Sequence, residues 1–347
     1  MALFNFKGAR NAPKITVVTT MKDEGAYILD WVSHYKTLGA TDILVYTNDC
    51  SDPTDHILRE LNRMGEVHHR FNRVMKRGPH KSALMWAGYE PIVQESDWIL
   101  VVDVDEFLQI NDGDGTLPGL IARHPDVDAI SFVWKIFGNA DEAEISDQPV
   151  PRSFTRAQTT KGAPGEHRFF KTLYRNNEKF SRMGVHRPFL AEDPGEVNWI
   201  TPDGTRLSQD QTKNALFVHD TYGYEVAQLN HYALRSLDAF VVKQKRGRAN
   251  HQRGVIEMGY WNKFNKNDEA DIALAQNFGT AEAYRDDLLA RHEKLIKLHT
   301  EALELHRRRA RRLKRRDAPI RNMVAQILGT DTDEAAAAPD EKNRSAA

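Results

Sequence analysis

Trp98-Ile99-Leu100-Val101-Val102-Asp103-Val104-Asp105-Glu106-Phe107 is the stretch that decides how this chain is read. A short apolar run, rich in β-branched residues, fits a strand buried on both faces of a sheet. It ends abruptly in three carboxylates, which are costly to bury unless something positive meets them. Asp103 and Asp105 are two apart, so on a continuing strand both side chains share one face. Two carboxylates on one face, with room for water and phosphate oxygens, suit Mg²⁺ or Mn²⁺ carrying a diphosphate. The plainer alternative is an acidic turn after a strand, because Asp-x-Asp alone is a weak pattern.

Outward from this stretch, strands and helices alternate. Lys14–Thr20, Asp42–Thr47, Glu66–Phe71 and Val127–Trp134 read as further strands. Ala26–Leu38 carries Ile28, Trp31, Val32, Tyr35 and Leu38 at helical spacing, with Gly39 just past its end. Asp52-Pro53 opens a second helix with Ile57, Leu58, Leu61 and Met64 on its apolar stripe, and His80–Glu90 is a third. This alternation predicts an α/β fold, a mostly parallel sheet with helices on both faces. Ligands of such sheets lie outside the carboxyl ends of the strands. The places to inspect are therefore 21–25, 47–52, 73–81 and 103–106.

After about Gly138 the pattern loosens into a less regular α+β second half with short strands at Phe169–Tyr174 and Ala215–His219. Residues 224–252 read as helical, and 281–316 as one long charged helix. The expected division is 1–135, a nucleotide-sugar-binding half; 136–280, the acceptor-binding half of the same domain; 281–328, a charged helical region; and 329–347, a disordered tail.

The 347 residues are 40% hydrophobic, which excludes a fully disordered chain. Lys and Arg number 48 against 49 acids, a net −1 that hides an asymmetry. His306–Arg316 alone holds eight cations, and removing them leaves 40 Lys and Arg against 49 acids, a net −9. That run reads as a solvated helix, as a contact for anionic lipid, or as a nucleic-acid contact. It lacks interleaved aromatics, so base recognition is not expected, and it is expected to be dispensable for chemistry. The single cysteine, Cys50, excludes an internal disulfide and fits a reducing compartment. With no apolar run of about 18 residues, the location expected is cytoplasmic, peripheral at the inner membrane face if the basic run meets lipid.

Asp23 and Glu24 follow the first strand, where they could bind a base or ribose or cap the next helix. Asn48–Thr54 follows the second; if Asp52 caps, Asp49 is free for a ligand hydroxyl. Lys76–Lys81 is a basic loop suited to phosphate, with Lys81 at the helix start. His186, His219 and His231 stand near the ends of apolar segments, and neutral imidazole is a common metal ligand. Lys243, Lys245, Arg246 and Arg248 follow His231 and could neutralise a leaving diphosphate.

Taken in order, Asp23-Glu24, Asn48–Thr54 and Asp103-Val104-Asp105 resemble the nucleotide-sugar-binding half of a GT-A glycosyltransferase of the family 2 type. The form here, with Lys22-Asp23-Glu24 and Asp103-Val104-Asp105-Glu106-Phe107, looks most like the bacterial subgroup related to family 92. The resemblance covers about 13–135 and extends more loosely to about 270 through Leu229-Asn230-His231-Tyr232. It implies a metal-dependent transfer of sugar from a UDP- or GDP-type donor to a glycan or other hydroxyl acceptor. By the same resemblance Asp23, Glu24, Asp49, Lys81 and Asp103 would bind the donor, and Asp103, Asp105 and His231 would hold Mn²⁺ or Mg²⁺. Asp23 stands where the family has Asn. The Glu-Asp motif of inverting relatives is not evident: Glu192-Asp193 has the letters in a Pro-Gly loop. The catalytic residue and the stereochemistry are therefore unassigned, with His186 and Asp193 as candidates. A nucleotidyltransferase of similar fold is the alternative, disfavoured because 21–25 is not a Gly-rich basic loop. A non-catalytic nucleotide-binding module is the other.

Overall fold

A computed structural model describes residues 12–161, 167–213, 217–219, 223–246 and 258–330. The expectation of a disordered tail, apart from Gly329 and Thr330, and that for Arg248 lie outside them.

Strands β1 (Ile15–Met21), β2 (Asp42–Thr47), β3 (His68–Phe71) and β4 (Trp98–Val101) alternate with helices α1 (Ile28–Thr37), α2 (Thr54–Arg63), α3 (Pro79–Ala87) and the single turn α4 (Pro91–Gln94). Next come β5 (Glu106–Ile110), α5 (Leu117–Arg123), β6 (Ala129–Ile136), α6 (Val150–Ser153) and β7 (Arg156–Ala157). β8 (His167–Arg175), β9 (Phe180–Arg182), β10 (Phe189–Leu190), β11 (Trp199–Ile200), α7 (Gln209–Lys213), β12 (Phe217–His219) and β13 (Ala227–His231) follow. The described chain closes with α8 (Leu237–Arg246), α9 (Met258–Phe264), β14 (Glu269–Ala270), α10 (Ala273–Asn277), α11 (Gly279–Arg291), α12 (Glu293–Arg316) and α13 (Ala318–Leu328).

The main sheet runs β3-β2-β1-β4-β8-β6-β13-β5, with β11 beside β6 and β12 beside β8. β3, β2, β1 and β4 are parallel to one another, and β8 is antiparallel to both β4 and β6. The α/β class expected from the alternation stands, and its parallel half is where the sequence read most regularly. Strand periodicity explains the double burial. Ile15, Val17, Ile43, Val45, Trp98 and Leu100 face one apolar cluster. Val18, Leu44, Tyr46, Ile99 and Val101 face the other, where α3 packs Ala83, Leu84 and Ala87.

Two expectations are corrected. The stretch 224–252 is not helical throughout: Ala227–His231 is a strand wedged between β6 and β5. There Gln228 and Asn230 answer Gln109 with side-chain hydrogen bonds, a satisfied polar layer that helical spacing does not offer. The 281–316 helix is two, broken at His292, whose φ of −143° and ψ of 97° are extended. The helical region 281–328 joins the rest of the fold, because Leu288, Leu295, Ala302 and Leu303 enter the same core as β1 and α1.

Candidate functional site

Two loops at the carboxyl ends of β1 and β2 build the first part of the site. Asp23 and Asp49 both adopt left-handed backbone, with φ of 51°, a conformation that Asp tolerates better than most residues. Asp23 turns its carboxylate across to the second loop, accepting from the Ser51 hydroxyl and from the Asp52 amide at 3.1 Å. Asp52 accepts from the Thr54 amide at 2.9 Å, as a helix-starting Asp should, and from the Gly25 amide at 3.0 Å. A Cβ on Gly25 would sit 3.0 Å from Ala302 of α12, so only glycine lets this loop approach the helix so closely.

Asp52 also receives His306 Nε2 at 2.8 Å, inside the protein. Burial alone would raise the Asp52 carboxyl, but the His306 and Thr54 hydrogen bonds outweigh it and hold it at about 2. The Arg-rich run is thereby fixed over the loops. Arg309 donates to the Ser51 carbonyl at 2.6 Å and lies 3.9 Å from Asp23. Lys314 pairs with Asp238 of α8 at 2.6 Å. Beneath the helix lies a recess of about 520 Å³, lined by Lys22, Asp23, Asp49, Ser51, Lys245, Arg309, Arg312 and Arg316 among others. The 306–316 run, expected to be dispensable for chemistry, presents one face to this recess.

The Asp-x-Asp pair forms the second part. β4 ends at Val101, so Asp103 and Asp105 lie in the turn between β4 and β5 rather than on one strand face. Each meets its own lysine. Lys171 of β8, wholly buried, sits 2.9 Å from Asp103 and 3.4 Å from Glu106. Lys243 of α8 sits 2.8 Å from Asp105 Oδ2. Burial works against ionisation of Asp105, yet Lys243, then His231 and Arg235, hold its carboxyl below the ordinary range. Glu106, with no exposed surface, goes the other way, because burial pushes it well above that range despite Lys171.

His231 Nε2 lies 3.7 Å from Asp105 Oδ1, and its Nδ1 is buried without a hydrogen-bond partner. The ring packs 4.2 Å from Trp134. Burial lowers His231 to about 4, so the imidazole is neutral near pH 7 and keeps a lone pair for an ion. Asp105 and His231 thus suit a divalent cation as two donors. Asp103 faces Lys171, with His80 Nε2 at 3.9 Å, so the three expected ligands do not form one cluster. Among the described residues, no group of three or more His, Cys, Asp or Glu is placed to hold an ion. Such a site would be completed by phosphate oxygens and water, the usual arrangement for Mg²⁺.

The third part is a cavity of about 920 Å³ between α3 and the β9–β10 hairpin. Lys81 opens onto it rather than onto the recess of Asp23 and Asp49. His186 lines it too, its Nδ1 3.1 Å from the Phe170 carbonyl. Burial, then Lys171, lowers His186 to about 4. Asp193 lies exposed on the loop between β10 and β11, outside both cavities.

Glu24 is turned inward, paired with Arg235 at 2.8 Å; Arg235 in turn covers the Tyr27 ring at 3.7 Å. Glu24 therefore braces the first loop rather than facing the recess. Sequence reasoning overlooked Arg235, Lys171 and His80. The one available signal was a lysine interrupting the apolar strand Arg168-Phe169-Phe170-Lys171-Thr172-Leu173-Tyr174, since a charge there needs a buried partner. The helical region offers no candidate for crossing a membrane: among the described residues, no helix is long and apolar enough.

Comparison with known proteins meets this geometry from another side. A glycosyltransferase family 92 protein of Oryza sativa subsp. japonica is 21% identical over 156 residues, 44% of this chain and 26% of that protein. The chain thus spans about a quarter of the length of this curated relative. Among solved structures, S. aureus TarS 1–349 is 15% identical with a TM-score of 0.30, the overlap covering 47% of each chain. Glucosyl-3-phosphoglycerate synthase from Mycobacterium tuberculosis, in complex with Mn²⁺, UDP and glucosyl-3-phosphoglycerate, is 16% identical over 35% of this chain and 44% of that one, with a TM-score of 0.25. Both overlaps are partial. The family match is broad: it runs from residue 18 to 267, taking in the second half of β1, the loops after β1 and β2, the Asp-x-Asp turn, His231 and Lys243, and by it the chain belongs to glycosyltransferase family 92.

Proposed function

We propose that this chain transfers a sugar from a nucleotide-diphosphate donor, of UDP or GDP type, to a hydroxyl of a glycan-like acceptor, with Mn²⁺ or Mg²⁺ at Asp105 and His231. One observation carries the reading. The Asp105–His231–Lys243 group lies just past the end of β4, and Asp23 with Asp49 opens a recess at the ends of β1, its neighbour, and β2, the next strand out.

In this reading Asp23 and Asp49 bind base and ribose, and Arg309, Arg312 and Arg316 face the phosphates across the recess. A divalent ion, when bound, supplies charge neutralisation for the leaving diphosphate. Lys243 adds a fixed positive charge on the same side, preorganised by Asp105. Lys171 keeps Asp103 ionised and oriented for a donor hydroxyl. His186 positions the acceptor by hydrogen bonding. A ring held near 4 is a weak base at neutral pH, and proton abstraction is most efficient when the two values match.

Thermal unfolding with UDP, GDP, ADP and CDP, each with and without Mn²⁺, tests this. One diphosphate should raise the midpoint in a Mn²⁺-dependent way, by the equivalent of about 2.7 kcal/mol at a hundredfold excess over its dissociation constant. Nucleotide binding without hydrolysis of any nucleotide sugar would favour the non-catalytic module. No response to any nucleotide would remove the donor assignment.

A further inference from the structure

The larger cavity, beside α3, has a chemistry of its own. Arg77, Lys81, Arg182 and Arg187 line it together with His186, and no Asp or Glu stands in its described wall. Among the described residues, Arg77, Lys81 and Arg182 enter no ion pair. These three positive charges border one concavity, and no carboxylate of the described wall faces them. The guanidiniums are held in place. Arg182 lies 4.0 Å over the Phe189 ring, and Arg187 is anchored by the Thr212 carbonyl at 3.0 Å. Phe189, 41% exposed at the rim, offers a flat apolar face beside these charges. His186 joins the cavity to the Asp-x-Asp turn by way of β8: its Nδ1 lies 3.1 Å from the carbonyl of Phe170, next in sequence to the Lys171 that pairs with Asp103.

Taking the glycosyl-transfer reading as its basis, we infer that this cavity binds an anionic acceptor, a sugar or polyol carrying a phosphate or carboxylate. The arginines hold the anion, Phe189 stacks on the apolar face of the ring, and the acceptor hydroxyl reaches toward His186. Guanidinium forks match phosphate and carboxylate geometry, and sugar rings present C–H faces that pack on aromatics. A neutral acceptor would leave Arg77, Lys81 and Arg182 without a counter-charge from the ligand; an anionic one supplies it on binding.

The test uses the full chain and two variants, R77A/R182A and, as a control for surface charge alone, R63A/R123A. Isothermal titration with glucose, glucose 6-phosphate, glucuronate and UDP plus Mn²⁺ supplies four arms. The parent should bind glucose 6-phosphate or glucuronate at least tenfold tighter than glucose, and whichever anion is preferred identifies phosphate or carboxylate. R77A/R182A should lose that preference tenfold or more while its UDP affinity stays within twofold; R63A/R123A should keep both. Equal affinity for glucose and its charged forms would overturn the inference, as would a preference that survives in R77A/R182A. Loss of UDP binding in R77A/R182A would overturn it as well, reassigning the cavity to donor phosphates. A parent that binds the anionic sugars but no nucleotide would support the anion site and sink the donor reading, so the two failures are separable.

Discussion

His306 Nε2 and Asp52 Oδ2 lie 2.8 Å apart, joining the middle of the last long helix to the loop after the second strand across 254 residues of sequence. Both side chains are almost wholly buried. Removing one partner of a buried, charge-assisted hydrogen bond leaves the other without solvent or mate, at a cost of about 3 kcal/mol. His306→Ala is therefore expected to lower the thermal midpoint and, because α12 walls the recess proposed to hold the donor, to weaken nucleoside diphosphate binding too. An unchanged midpoint would show that the contact is incidental.

Truncation before His306 should cost both stability and donor binding. The deleted part contributes Ala310 to the core and Arg309, Arg312 and Arg316 to the recess. The milder R312A/R316A pair, both exposed, separates these effects. It should weaken a nucleoside diphosphate at least tenfold, its nucleoside hardly at all, and leave the midpoint near that of the parent. Equal losses for both ligands would mean that the arginines do not meet phosphate.

Asp105→Asn keeps the shape of the side chain and removes the charge that Lys243 and His231 face. Mn²⁺-dependent stabilisation by nucleotide should disappear. The midpoint without ligand should also fall, because Lys243 and Arg235 lose a compensating charge inside the protein. Retention of the Mn²⁺ effect would take the ion away from this residue.

Replacing His231 with Ala should weaken Mn²⁺ far more than Mg²⁺, since imidazole suits the transition metal and Mg²⁺ prefers oxygen and water. Paired titrations of the two ions on parent and variant give the answer. A Mn²⁺ to Mg²⁺ ratio that does not move would leave His231 a packing residue against Trp134 and Phe264.

Acid should destabilise the fold well before carboxylates titrate. His34, buried against Phe107 and Phe278 with Nε2 2.8 Å from the Leu108 carbonyl, is lowered to about 4, with burial the leading cause. The unfolded chain binds this proton near 6.5 and the folded one near 4. Its contribution is therefore intact above 6.5 and fades as pH falls toward 4, by about 1.4 kcal/mol per pH unit. The midpoint should drop between pH 7 and 5, and His34→Gln should flatten that slope. An equal slope in both proteins would place the acid sensitivity elsewhere.

What the sequence disclosed follows a physical line. β1, β2 and β4 were legible because strands buried on both faces must be apolar throughout, and the carboxylates at their ends stand out against that run. β13 was not, because its inward groups are Gln228 and Asn230, satisfied by Gln109, which lies about 120 positions away in sequence. The same distance problem hid Lys171, 68 positions from Asp103, and Arg235, 211 positions from the Glu24 it pairs with. The Arg-rich run misled for a further reason. Composition counts eight cations together, while the helix divides them by face, sending some to solvent and others onto the recess.

That division has a consequence for where donor affinity resides. The recess is lined by five Lys or Arg and three Asp, but Arg309, Arg312, Arg316 and Asp317 all come from beyond the family segment that ends at 267. Cut at that boundary, the remaining lining is two cations against two acids, electrically even and with no pull on a diphosphate. On the proposed reading the attraction for a diphosphate would come from α12, the same helix that His306 and Ala302 lock into the core. Substitutions on the recess-facing side of α12 would then retune how tightly a donor is held while its core-facing side keeps the fold.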